Sequence, residues 1–159
     1  MAPAVPRRST ALTPGWAAGV CAGVHAAGIR DVVYVPDNPL SHVLREFGER
    51  FADVRLVLAT REEEAFGIAA GLYLGGRRTA VMLQSSGVGN SLNALTSLLI
   101  PYEIPVPMIV SMRGDAGEWN AAQMPMASKI AGTARPMGTC AEYHSPASPR
   151  MLTTIATGI

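Results

Sequence analysis

Four short stretches carry residues able to do chemistry. The first is Arg61-Glu62-Glu63-Glu64-Ala65-Phe66-Gly67-Ile68-Ala69-Ala70-Gly71. Three consecutive acids at a helix start complement the positive end of the helix dipole. Thr60-Arg61-Glu62-Glu63 also fits a capping box, in which the Thr60 hydroxyl and the Glu63 carboxyl satisfy each other's backbone donors. That leaves Glu64 to solvent and Glu62 without a task. The rest of the Glu62 helix is nearly all small or apolar. Ala65, Gly67, Ala69, Ala70 and Gly71 let another backbone approach closely, as at a subunit or cofactor contact. Glu62 either shares the dipole role of its neighbours or is the catalytic acid of the chain.

The second stretch is Gln84-Ser85-Ser86-Gly87-Val88-Gly89-Asn90. Gly87-x-Gly89 suits a backbone that passes close to a ligand, and equally a plain turn. It is no dinucleotide fingerprint, because Leu92 stands at the third glycine position, and no phosphate loop, because no Gly-Lys-Ser/Thr follows. The third is Ser111-Met112-Arg113-Gly114-Asp115. Arg113 can pair with Asp115 or Glu118, or its guanidinium can hold an anion by a fork of N–H donors. The fourth is Val35-Pro36-Asp37-Asn38, which reads as an Asx turn unless context gives it a ligand.

The elements that must position these residues alternate. A helix over 14–27, with Thr13 as cap and Gly28 as stop, precedes a β-branched strand over 31–35. A helix over 40–51, a strand over 54–58 and a helix from Thr60 to Leu74 follow. Thr79 to Gln84 is a near-continuous apolar run, as a strand covered on both faces requires. A loop over 85–89, a helix over 90–100 and a strand over 106–112 come next. A short helix over 121–131, a strand over 140–144 and a helix over 149–156 complete the prediction. The expected fold is α/β: a three-layer, doubly wound parallel sheet with helices on both faces. Residues 1–13 read as a flexible tail and 14–159 as one domain. Ligands of such folds sit beyond the carboxyl ends of the strands. The loops that leave those ends, 36–39, 59–64, 85–90 and 113–123, hold all four stretches.

Composition removes other classes. The chain has 159 residues, 13 Lys+Arg against 12 Asp+Glu, and a net charge of +1. That balance gives no reason to expect nucleic acid or an acidic membrane. Aromatics, at 6 %, are too few for base-stacking platforms. Cys21, Cys140, His25, His42 and His144 are scattered without metal-ligand spacing, so no metal is expected on this chain. The most apolar window, 92–112, is broken by Asn93, Glu103 and prolines, so no membrane span is expected. Arg7-Arg8 before a small-residue stretch only faintly matches a twin-arginine leader, and the expected location is the cytoplasm.

Taken together, order and spacing resemble a known family. Glu62-x5-Ile68-Ala69-x-Gly71 is similar to the catalytic-glutamate helix of thiamine-diphosphate decarboxylases. Further motifs follow it: Gln84-Ser85-Ser86-Gly87-Val88-Gly89-Asn90-Ser91-Leu92-Asn93-Ala94-Leu95, Tyr102-Glu103-Ile104-Pro105, Arg113-Gly114-Asp115-x-Gly117-Glu118 and Ala122-Gln123-x-Pro125-Met126. With them the chain resembles the alpha subunits of sulfopyruvate decarboxylases over about residues 14–130. The related phosphonopyruvate decarboxylases share much of this, including Val35-Pro36-Asp37.

The resemblance implies a pyrimidine-binding domain. Glu62 would be catalytic, sharing a proton with the aminopyrimidine ring nitrogen of thiamine diphosphate, while the thiazolium takes up the electrons left when CO2 departs. It further implies that Gln84, Ser85, Gly87, Gly89 and Asn90 line the cofactor. Asp37, Asn38, Arg113 and Gln123 are the substrate candidates. Family members hold Mg2+ and the diphosphate on a second domain through a Gly-Asp-Gly…Asn motif. This sequence has no Gly-Asp-Gly, its nearest approach being Gly114-Asp115-Ala116. The cofactor would therefore be shared with a beta subunit carrying that motif, in a heterotetramer or larger assembly. Arg61 where many relatives have His, and Gln123 where simple pyruvate decarboxylases have a His pair, fit an oxoacid with an anionic head. The implied activity is decarboxylation of a 3-sulfo- or 3-phosphonopyruvate. The alternatives are an acyloin- or acetolactate-synthase-like carboligase subunit and a non-catalytic scaffolding subunit.

Overall fold

The computed structural model describes residues 14–113 in full and the backbone of 139–145 and 148–155. The predicted tail over 1–13, the Thr13 cap, the helix over 121–131 and Gln123 lie outside the described residues. The first strands and helices alternate as expected: α1 (Gly15–Ala26), β1 (Asp31–Tyr34), α2 (Ser41–Arg50), β2 (Arg55–Leu58), α3 (Glu62–Leu74) and β3 (Thr79–Gln84). Next come α4 (Ser85–Asn90), α5 (Leu92–Ala94), a π turn (Leu95–Leu99), β4 (Met108–Ser111), β5 (Thr139–Ser145) and β6 (Ser148–Ile155).

The sheet order is β2-β1-β3-β4-β6-β5, with the first four strands parallel. Val33 lies beside Val57 on one side and Val81 on the other, and Val81 beside Met108. The chain leaves β1 for one flank and returns through β3 on the other. The topological switch point is therefore between β1 and β3. Strand alternation sorts the core into two layers. Val32, Ala80, Met82 and Ile109 meet Ala17, Cys21, Val43 and Phe47 of α1 and α2. Val33, Val81, Leu83 and Val110 meet Ala65, Phe66 and Ala69 of α3. Phe47 and Phe66 are fully buried, and each stabilises its layer by roughly 2–3 kcal/mol.

One prediction fails at the far edge and two at the site. The predicted helix over 149–156 is β6, and it pairs antiparallel with β4 and with β5. The parallel sheet thus carries an antiparallel hairpin at one edge, a common addition to doubly wound sheets. Met151-Leu152-Thr153-Thr154-Ile155 is rich in β-branched residues, and that propensity prevails over the helix reading. Residues 85–90 are helical rather than a loop, and the helix over 90–100 is broken into α5 and the π turn.

The amino edge of the sheet is fastened by charge. Asp31, fully buried at the start of β1, accepts from Arg55 Nε at 2.6 Å and Arg77 Nε at 2.5 Å. Burial alone would push its carboxyl up. The hydrogen bonds from Arg77 and Arg55 outweigh that and hold it below the usual carboxylate range. Gly28, at φ 76°, turns the chain out of α1, and Arg78 donates to the Ala27 carbonyl at 3.0 Å there. No helix among the described residues is long and apolar enough to cross a membrane.

Candidate active site

The three acids at the start of α3 have three different surroundings. Glu64 performs the capping that the sequence reading gave to Glu63. Its Oε2 accepts from Thr60 N at 2.8 Å, Thr60 Oγ1 at 2.6 Å and Arg61 N at 3.3 Å. The helix starts one residue later than the Thr60 capping box required, because Arg61 is the cap residue, and this moves the box partner from Glu63 to Glu64. Hydrogen bonds from the Thr60 side chain and backbone hold the Glu64 carboxyl below its ordinary range. Glu63 is exposed, 3.8 Å from Arg61 Nη1. Glu62 is half-buried, and among the described residues no hydrogen bond or ion pair engages its carboxyl.

What Glu62 does touch is α4. A Cβ built on Gly87 would stand 2.7 Å from both Cδ and Oε1 of Glu62, and closer still to its Cγ. Any side chain at 87 would occupy the volume of the Glu62 carboxyl. The space requirement at Gly87 is therefore set by α3. Gly87 is buried within α4, whose first residue, Ser85, follows Gln84 at the carboxyl end of β3.

Ser85 links this contact to the neighbouring strand end. Its buried hydroxyl accepts from the Arg113 backbone N–H at 3.1 Å. Arg113, just past β4, aims its side chain at the loop after β1, where Nη2 donates to Asp37 Oδ1 at 2.5 Å. The other Asp37 oxygen accepts from Ser111 Oγ at 2.5 Å. The Asp37 side chain is 10 % exposed and that of Arg113 26 %. Among the described residues the buried Arg113 Nε has no partner.

The structure thus joins Glu62, Gly87, Ser85, Arg113 and Asp37 along the carboxyl edges of β1, β3 and β4. Arg113 pairs with Asp37; Asp115 and Glu118 lie outside the described residues. Asp37 directs its side chain across the sheet edge, while its backbone carbonyl accepts from Leu40 N at 3.1 Å in the turn. Asn38 is exposed and its carbonyl takes the N–H and hydroxyl of Ser41, which makes it a turn residue. Gln84 is partly buried, and Gly89 and Asn90 are exposed at the far end of α4. Ser111 opens the third stretch, but the sequence assigns it no role. Its one signal was a hydroxyl ending the apolar run Met108-Ile109-Val110. Among the described residues no three of His, Cys, Asp and Glu gather as a metal site.

Fold and site define an α/β domain whose candidate acid lies against α4, the helix that follows β3 beside the switch point of a parallel sheet. Residues 17–131 match the family described as "Thiamine pyrophosphate enzyme, N-terminal TPP binding domain", and the chain belongs to that family. It is 49 % identical over 107 residues to a sulfopyruvate decarboxylase subunit alpha of Methanothermobacter thermautotrophicus, covering 67 % of this chain and 64 % of that one. It is 57 % identical over 92 residues to the protein of that name from Methanocaldococcus jannaschii, covering 58 % and 54 %. A phosphonopyruvate decarboxylase of Streptomyces viridochromogenes is 37 % identical over 116 residues, covering 73 % of this chain and 29 % of that one. The chain spans between about half and two thirds of the length of the alpha subunits it matches. The residues present fit the pyrimidine end of the cofactor. A half-buried carboxyl without a protein partner among the described residues lies against a helix whose glycine keeps side chains out of its space.

Proposed function

We propose that this chain is the alpha, pyrimidine-binding subunit of a thiamine-diphosphate decarboxylase acting on 3-sulfopyruvate or 3-phosphonopyruvate. The products are the corresponding aldehyde and CO2. The observation that carries the reading is the seat of Glu62: alone of the three acids it makes no hydrogen bond or ion pair through its carboxyl among the described residues, and it rests on Gly87. The names of the relatives support the substrate class.

In this reading Glu62 holds a proton at the pyrimidine ring nitrogen. Its contact with Gly87 fixes where that proton lies, and a shorter acid would fall short by a methylene. When bound, thiamine diphosphate supplies the electron sink for the carbon that loses CO2. Gln84, Ser85, Gly87, Gly89 and Asn90 shape the cofactor side. Arg113 donates to the anionic head of the substrate, and Asp37 holds Arg113. Asn38 and Gln123 remain candidate contacts to the same head. Residues 14–159 form one domain. The diphosphate and Mg2+ are held by a beta subunit carrying Gly-Asp-Gly…Asn, in a cytoplasmic heteromer of four or more chains.

Co-expression with such a chain tests this. Calorimetry should find tight binding of thiamine diphosphate with Mg2+ by the mixture and not by either chain alone. The mixture should release CO2 from sulfopyruvate or phosphonopyruvate, and Glu62→Gln should abolish release. Full activity of Glu62→Gln would overturn the catalytic reading in favour of a scaffolding subunit. Condensation with an added aldehyde in place of release of the product aldehyde would mark a carboligase.

A further inference from the structure

Ser111 stands in an unusual position for a hydroxyl. It is the last residue of β4, fully buried, and by strand alternation it follows Ile109 onto the apolar α1–α2 face. A buried hydroxyl costs stability unless it is hydrogen-bonded, and Ala would take nearly the same volume without that requirement. Its bond goes not to a neighbouring backbone but to a carboxylate 74 positions away in sequence, Asp37 Oδ2. The second oxygen of that carboxylate takes Arg113 Nη2. The Arg113 backbone N–H is held independently by Ser85. The base and one terminal nitrogen of Arg113 are both anchored, and among the described residues its Nε is buried without a partner.

We propose that Ser111 is a positioning residue for Arg113. The inference rests on the function proposed above, in which Arg113 meets the anionic head of the oxoacid. A carboxylate with one acceptor bond can rotate about its Cβ–Cγ bond. With Ser111 on Oδ2 and Arg113 on Oδ1, Asp37 is held in one orientation, and so is the guanidinium. The donors that Asp37 leaves unused then face the anion in a fixed geometry, without a rotamer search on binding. Such a role affects substrate affinity and leaves the chemical step alone.

The isosteric pair Ser111→Thr and Ser111→Val isolates the hydroxyl. In the reconstituted complex, Ser111→Thr should keep KM for the oxoacid within about twofold of the unmodified enzyme. Ser111→Val should raise KM about tenfold with kcat within about twofold, as expected for a lost hydrogen bond to a charged group. In the isotope-labelled full chain, the Arg113 Nε–H signal should keep its shift in Ser111→Thr, and move and exchange faster in Ser111→Val. Equal KM values for the two variants, or an unchanged Arg113 Nε–H signal in Ser111→Val, would overturn the inference. Should the unmodified complex release no CO2 from either oxoacid, the function proposed above has failed. The Nε–H comparison then still decides whether Ser111 orients Arg113.

Discussion

The main chain of Gly87 stands where only a hydrogen can separate it from the side chain of Glu62, because a Cβ there would lie 2.7 Å from Oε1. The contact crosses from the start of α3 to the middle of α4 and sets the position of the one acid, among the three that open α3, whose carboxyl has no hydrogen bond or ion pair among the described residues.

Gly87→Ala should separate stability from activity. The three atoms nearest the new methyl all belong to the Glu62 side chain, the closest being its Cγ, so the clash is relieved by turning that side chain away rather than by moving a backbone. The melting temperature should fall by no more than about 4 °C. The carboxyl, however, would be displaced by an ångström or more, and CO2 release in the reconstituted complex should fall by about 100-fold or more. A variant with full activity would show that the position of Glu62 is immaterial.

The three adjacent glutamates should answer differently to substitution. Glu62→Gln should leave the melting temperature within about 1 °C and remove activity, since the carboxyl makes no bond among the described residues. Glu63→Gln should change neither. Glu64→Ala should lower the melting temperature by roughly 2–4 °C and leave activity near normal, because it removes the acceptor for Thr60 and Arg61. Thermal scans and CO2 assays on the three variants check the pattern.

Asp31 should make stability depend on acid. Its carboxyl titrates lower in the folded chain than in the unfolded one, where about 3.9 is usual. The unfolded state therefore binds the proton first as pH falls. The contribution of Asp31 is complete above about pH 5 and is lost as pH drops through about 4 to the folded value. Asp31→Asn should cost about 2 kcal/mol at pH 7, where it removes two charge-assisted hydrogen bonds. The gap between variant and unmodified protein should narrow as pH falls below about 4. A gap that is as wide at pH 3 as at pH 7 in denaturant titrations would contradict this linkage.

Cys21 should be inert in the folded chain. Burial, with the nearby Glu46 charge, pushes its thiol up to about 12. Alkylation at pH 8, followed by mass spectrometry, should label it only after denaturant is added. Rapid labelling of the native chain would show that the α1–α2 layer opens.

Much of this protein was determined locally and is readable without its coordinates. The strand over Thr79–Gln84 agrees residue for residue, because an apolar run of that length has few alternatives in a parallel sheet. α1 through β3 lie within a residue or two of their predicted bounds, since Gly28, Pro39 and Gly75 interrupt the periodicity where the elements end. Glu62 stood out because its helix offers no other polar task. Tertiary structure decided the rest. Which acid caps α3 depended on a one-residue shift of the helix start. Whether 149–156 became strand or helix depended on the free edge of β4. The Ser111–Asp37–Arg113 arrangement depended on β1 and β4 flanking β3. Hydrogen bonds between residues 74 and 76 positions apart leave no periodicity or spacing in the chain, because the sheet register alone brings their strand ends together.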